Sequence, residues 1–221
     1  MKKKKTWTII FGIIIACIMI GIIVVAMRYQ HTSSKRPEAR NTTPIDSIQS
    51  SVDKDDDGID DQTDILQGAI DYVNSHPKYK SKYYDTGYPD DEYGVCTDVV
   101  ANAMKNAGYD LMWEVKNDFD AHPYTYEMEK SDVNIDFRRV KNLKVYFKNN
   151  AIELTTDVSE VEQWQGGDIV IFKQHIGIVS DRRNKNGVPY VIHHNDPFQT
   201  YYEQDILEKR DDIVGHYRIS E

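Results

Sequence analysis

The first hydrophobic feature of the chain has no polar face: from Trp7 to Met27 no charged residue interrupts WTIIFGIIIACIMIGIIVVAM. About twenty such residues cross the hydrocarbon layer of a bilayer as a helix, whereas a helix of a soluble core shows a polar stripe. The pattern predicts one transmembrane helix over residues 7–27, behind a basic tail at residues 1–6. Residues 28–51 turn polar, include Pro37 and Pro44, and read as a tether. From Asp64 the apolar period becomes helical: Ile65, Ala69 and Val73 share a stripe flanked by Leu66 and Ile70. A loop rich in Tyr, Lys, Gly and Pro follows from Pro77 to Tyr93. A second helix is predicted from Val95 to Ala107, with Val95, Val99, Val100, Ala103, Met104 and Ala107 as its apolar face and Gly108 as its stop. Later, Asp168–Phe172, His175–Ser180 and Val188–His193 are short, β-branched runs separated by turns such as Asn184–Gly187. Helices followed by an antiparallel meander predict an α+β domain over residues 65–221.

Charge refines this picture. The first 40 residues hold eight Lys/Arg and one Glu, and the remainder holds 19 Lys/Arg against 35 Asp/Glu. So acidic a body repels polyanions, which excludes nucleic acid as a partner. Lys2 to Lys5 lie close against the apolar run, while Arg28, Lys35, Arg36 and Arg40 are spread beyond it. The tighter cluster predicts a cytoplasmic N-terminus and an exported body. The run exceeds the 7–15 residues of a cleavable signal peptide and no A-x-A follows it, so a single-pass cell-membrane anchor is expected. Ile14-Ile15-Ala16-Cys17 loosely resembles a lipoprotein box, but the ten residues after Cys17 remain apolar where a mature lipoprotein turns polar.

Residues 52–64 form an acidic loop, within which Asp53–Asp64 reads DKDDDGIDDQTD. Asp53, Asp55 and Asp57 occupy the first, third and fifth positions of an EF-hand-type loop, with Gly58 at the sixth. Ile59 would offer its carbonyl, Asp61 could act through water, and Asp64 fills the twelfth position, where the pattern has a longer Glu. The expectation is a structural calcium ion; the alternative is an acidic run capping the next helix. No cofactor is expected for catalysis.

One thiol stands apart. Cys96 opens the second helix in YGVCTDVV, and Cys17, inside the apolar run, offers it no disulfide partner. A helix N-terminus favours thiolate, so a lowered pKa is expected for Cys96. A thiol nucleophile needs a base and a group to orient that base. His175 opens one predicted strand and His193 closes another, so adjacent antiparallel strands could bring both to one end of a sheet. Buried cysteines are more often inert packing.

The strings YGVCTDVV, DVNIDFRRVKNL (Asp132–Leu143), WQGGDIV (Trp164–Val170), HIGIVSDR (His175–Arg182), PYVIHHN (Pro189–Asn195) and GHYR (Gly215–Arg218), in that order, resemble the bacterial family called domain of unknown function 1287. That family in turn resembles the NlpC-type, papain-like cysteine peptidases, most of which cut peptide or amide bonds of peptidoglycan. The resemblance implies a papain-like fold with a catalytic helix packed on an antiparallel sheet. It implies Cys96 as nucleophile, His175 as general base and then acid, and His193 as the third, orienting residue. The family string has one His before Asn, whereas this chain reads His193-His194-Asn195, so His194 or Asn195 could take the third role if the register slips. The Cys96 N–H is a candidate oxyanion donor, and Asp98 and Asp132–Arg139 match family positions with structural or substrate-contact roles. The expected activity is a membrane-anchored cysteine hydrolase, peptidase or amidase, acting on cell-wall peptide. The alternatives are an acyltransferase or thioesterase on the same fold, or a non-catalytic calcium-stabilised envelope module.

Overall fold

The computed structural model describes residues 2–221. Helix α1 (Lys2–Arg28) holds the apolar run and is the one helix among the described residues long and apolar enough to cross a membrane. Its described apolar side chains, such as Phe11, Ile18 and Ile22, are exposed. Helix α2 (Asp61–Asn74) begins three residues before the helical period becomes visible. Asp60 caps it, its carboxylate accepting the Thr63 N–H and hydroxyl. Two short strands, β1 (Lys78–Tyr79) and β2 (Tyr93–Gly94), pair in parallel across the predicted loop. They lead into α3 (Cys96–Asn106), followed by α4 (Leu111–Ala121), the single turn α5 (Val133–Asp136) and α6 (Val140–Asn150).

The remaining chain forms strands β3 (Ile152–Glu153), β4 (Ile169–Phe172), β5 (His175–Arg183), β6 (Pro189–Ile192), β7 (Glu203–Gln204) and β8 (Ile213–Arg218). They make one antiparallel sheet in the order β3-β8-β4-β5-β6-β7. The expected α+β architecture with an antiparallel sheet is observed. Period-two alternation divides its side chains between two cores. Ile169, Ile171, Ile176, Ile178 and Ile192 join Val99, Val100, Met104 and Leu143 of the helices, while Val170, Phe172, Val179 and Val191 pack on Trp164 and Leu207 behind the sheet.

The segment read as a polar tether, residues 28–51, differs from a free linker. It lies along the domain as a strap, because its polar groups find partners there. Gln30 bonds both the carbonyl and the N–H of Tyr79, at 2.8 and 2.6 Å. Ser33 makes a parallel bridge with Tyr201, Arg36 pairs with buried Glu203 at 2.8 Å and with Asp181, and Ser50 bonds Ser220 at 2.7 Å.

Candidate active site

Cys96 is the first residue of α3, and its neighbourhood is set by the residue two positions later. The Asp98 carboxylate accepts the Val95 N–H at 2.8 Å, closing the first turn of the helix. The same carboxylate takes a two-pronged bond from Arg138, Nε at 2.6 Å and Nη2 at 3.0 Å, with both side chains buried. Arg138 also donates to the Lys82 carbonyl at 2.7 Å. Asp98 and Arg138 thus tie the thiol-bearing turn to the loop after β1, which is a structural role.

Helix α3 packs on β5, and the backbone N–H groups of Ile176, Thr97 and Cys96 face the sulfur. Cys96 is half-buried as a residue, but its sulfur sits among core side chains. Burial pushes the thiol up to about 11, with the Asp98 charge adding to the rise and the three N–H groups opposing it. The lowered value expected from the helix N-terminus is therefore not what this environment produces: desolvation outweighs the dipole.

His175 begins β5 and His193 follows β6, and the two rings meet edge to face, with His175 Nε2 at 2.9 Å from His193 Nδ1. Gly177 makes this approach possible. A Cβ there would stand 2.6 Å from Val191 Cγ1, 2.9 Å from the Ile192 carbonyl and 3.2 Å from His193 Cβ. Of the three candidates for a third residue, only His193 contacts His175. His194 points instead between Tyr79 and Tyr202, and Asn195 bonds Asp196 at 3.2 Å. Burial lowers all three histidines: His175 to about 4, with the Arg210 charge assisting and Asp212 opposing, His194 to about 4, and His193 well below the usual range. Gln204 faces His193 and favours its protonation, but His193 Nε2 has no hydrogen-bond partner of normal geometry among the described residues.

The thiol and the histidine pair come to one end of β5 through Ile176, next in sequence to His175. No hydrogen bond joins the sulfur to either imidazole. The surface grooves bordered by Val140, Lys141 and Lys173 and by Arg36, Tyr201 and Glu203 have none of these three residues in their walls.

A second polar cluster lies under the sheet. Asp168 accepts from Arg218 at 2.8 and 2.9 Å, from Gln62 at 2.8 Å and from the Gln165 N–H at 2.7 Å, and meets His216 Nε2 at 3.0 Å. Trp164 stacks on His216 with ring centres 3.7 Å apart. The strings WQGGDIV and GHYR supply all of this cluster except Gln62 of α2, and its convergence is not visible from either string alone.

The acidic loop gathers Asp53, Asp55 and Asp57, each offering an oxygen within 4.8 Å of the others. Gly58 turns the chain at φ +96°, and its N–H donates to Asp53 at 2.8 Å. Asp64 lies behind them, and burial together with the charges of Asp57, Asp55 and Asp53 pushes its carboxyl up to about 6. Asp61 is not available to the loop as expected: it accepts from the Lys54 N–H at 2.9 Å, the Tyr109 hydroxyl at 2.6 Å and the Ser220 hydroxyl at 3.0 Å. The Ile59 side chain is exposed, and its N–H donates to Asp57 at 2.9 Å.

The family model described as "Domain of unknown function (DUF1287)" matches residues 66–219. The chain is 34% identical over 167 residues to an Escherichia coli (strain K12) protein called "Uncharacterized protein YijF", covering 70% of this chain and 80% of that one. No solved structure matches.

Proposed function

The chain belongs to the DUF1287 family, and within it we propose a membrane-anchored, exported cysteine hydrolase, peptidase or amidase, that opens amide bonds of cell-wall peptide. The observation that supports the reading most is the 2.9 Å bond between His175 Nε2 and His193 Nδ1, at the strand position next to Ile176, whose N–H faces the Cys96 sulfur. It orients one imidazole and leaves its other nitrogen unused. The resemblance to papain-like, NlpC-type peptidases supplies the substrate class.

The tautomer follows from the roles. If His175 donates Nε2–H to His193 Nδ1, the His175 Nδ1 lone pair is free to act as base, and His193 keeps its proton on Nε2. The lowered imidazole and raised thiol describe a neutral resting pair. Proton transfer then accompanies attack. As Cys96 Sγ bonds to the amide carbonyl carbon, its proton passes to His175 Nδ1. The Cys96 N–H donates to the oxyanion. The imidazolium, held through Nε2 by His193, returns that proton to the departing amine nitrogen as the C–N bond breaks, leaving a thioester. Water attacks the thioester, His175 takes its proton, and Cys96 leaves as the thiol after reprotonation. Attack requires the sulfur to close on Nδ1, a contact that apo sites commonly complete only with substrate bound. The apolar helix α1 and the wall-facing substrate fit one another, since the strap keeps the domain close to the bilayer surface.

Full-length protein in detergent, incubated with purified peptidoglycan and analysed as released muropeptides, tests the proposal. Products are expected from the wild type and lost in Cys96→Ala and His175→Ala. Product formation unchanged in Cys96→Ala, or none from any wall substrate, overturns it.

A further inference from the structure

Seven aspartates crowd residues 53–64, and six of them differ in where their carboxylates find donors. Asp60 and Asp61 are committed to protein donors: Asp60 caps α2 and takes the Ser50 N–H at 2.9 Å, while Asp61 takes Lys54, Tyr109 and Ser220. Asp53 takes the Asp57 and Gly58 N–H groups and Asp57 that of Ile59, donors within the loop itself, and Asp53, Asp55 and Asp57 bring carboxylate oxygens within 4.8 Å of one another. Behind them stands Asp64, on the first turn of α2. The residue is 3% exposed, the charges of Asp57, Asp55 and Asp53 act on its carboxyl, and it accepts no hydrogen bond from any described residue. A carboxylate shielded from most of its water, without a protein donor and beside like charges, is costly to ionise. A positive charge among these four would supply what no side chain does.

We infer that this loop binds one calcium ion through Asp53, Asp55, Asp57, the Ile59 carbonyl and Asp64. The donor set is all oxygen, with no imidazole or thiolate, which selects a hard cation. The spacing, one, three, five, seven and twelve with Gly58 in a left-handed turn at the sixth position, matches a loop that wraps calcium. Magnesium is disfavoured because it demands a tighter octahedron and releases its water reluctantly. Aspartate at the twelfth position reaches one methylene less far than glutamate. The start of α2 is therefore the wall that the ion must approach. The ion would fasten residues 53–59 to α2, which packs on the thiol-bearing α3. The inference does not depend on the reaction proposed for Cys96.

The full-length protein, stripped with a chelator in detergent, is titrated with calcium chloride and, in parallel, magnesium chloride. Calorimetry and thermal melting are the readouts. Calcium is expected to give saturable heat and to raise the melting temperature by roughly 5 °C at saturation, with little response to magnesium. Asp64→Asn should melt no lower than the stripped wild type, since it removes a buried unpaired charge, and should lose the calcium shift. Asp55→Asn, at an exposed position, should weaken binding at least about tenfold without changing the stripped melt. Absence of calcium heat and shift up to about 10 mM, an equal response to magnesium, or a shift retained in both variants overturns the assignment.

Discussion

Replacing His194 by Phe separates a packing histidine from its catalytic-candidate neighbour. His194 is 1% exposed, meets Tyr79 and Tyr202 edge to face at 5.2 and 5.1 Å, and has no hydrogen-bond partner for either ring nitrogen among the described residues. Burial holds its pKa near 4, with Asp196 opposing only in part, against 6.5 for the free side chain. On acidification the unfolded chain takes up this proton first, below pH 6.5, and the folded protein follows only near pH 4. Between those values the unfolded state binds more protons, so stability present above pH 6.5 is lost as pH falls. At about 1.4 kcal/mol per unit, the loss attributable to His194 between pH 7 and about 4.5 is on the order of 2–3 kcal/mol.

The Phe variant removes that titration and keeps a flat aromatic ring for the two tyrosines. Urea unfolding of wild type and His194→Phe, in the same detergent at both pH values, yields a difference in which the other titrating groups cancel apart from His175 and His193, whose protonation the His194 charge also opposes. The variant should gain roughly 2–3 kcal/mol relative to wild type on going to the lower pH. At pH 7 it should already be level or more stable, since an orphaned buried N–H costs about 1–3 kcal/mol. Its release of muropeptides should match wild type. A difference that stays flat with pH would show that His194 is not a buried neutral ring. Lost activity with intact folding would assign the orienting role to His194 and refute the His193 register.

Two further perturbations probe the thiol and its support. Arg138→Ala leaves Asp98 buried without a counter-charge and should cost on the order of 3–5 kcal/mol in urea unfolding, whereas Asp98→Asn with Arg138→Met should cost clearly less. Equal losses would mean that packing, not charge, governs the site. With Cys17→Ser as background, Cys96 should react with iodoacetamide at pH 7 about a hundredfold more slowly than free cysteine and accelerate steadily toward pH 10, as its raised pKa demands. Rapid labelling at neutral pH would reveal a preformed thiolate and refute base-assisted attack.

Much of the scaffold was legible because its apolar positions repeat. Ile65, Ala69 and Val73 mark α2, Val99, Val100 and Met104 mark α3, and the β-branched runs mark β4, β5 and β6. The elements that escaped are those with polar residues in core positions. β8 buries His216 and Arg218, made tolerable by Asp168 about fifty residues earlier in the chain, so its pattern does not read as a strand. Helix α4 buries Asp118, whose partners Tyr126, Asn149 and Asn150 come from other segments, and α6 is interrupted by lysines. The strap was illegible for the same reason, since Gln30 and Arg36 look like linker residues until Tyr79 and Glu203 are placed beside them. For the site, residue types and order nominated Cys96, His175 and His193. Strand register alone distinguishes His193 from His194, and the thiol's raised pKa depends on burial that the first turn of a helix does not announce.

The two buried ion clusters explain how such a site can be held in position at all. Asp98 with Arg138 fixes the turn that presents Cys96. Asp168 with Arg218, His216 and Gln62 joins β4 and β8 to α2, and thereby sets the sheet against the helix pair. Buried ion pairs often contribute little net stability, because desolvation cancels most of the attraction. Their effect is directional: a two-pronged guanidinium–carboxylate bond tolerates few arrangements, and displacing either partner exposes an unpaired charge to the core. Hydrophobic contacts between α3 and β5 could slide by a fraction of an ångström at small cost, but these pairs could not. Gly177 adds the complementary constraint from inside the sheet, since β6 and His193 approach His175 only while that position lacks a side chain. A helix end pinned by charge and a strand crossing narrowed by glycine together confine three residues, spread over nearly a hundred positions, to the same end of β5.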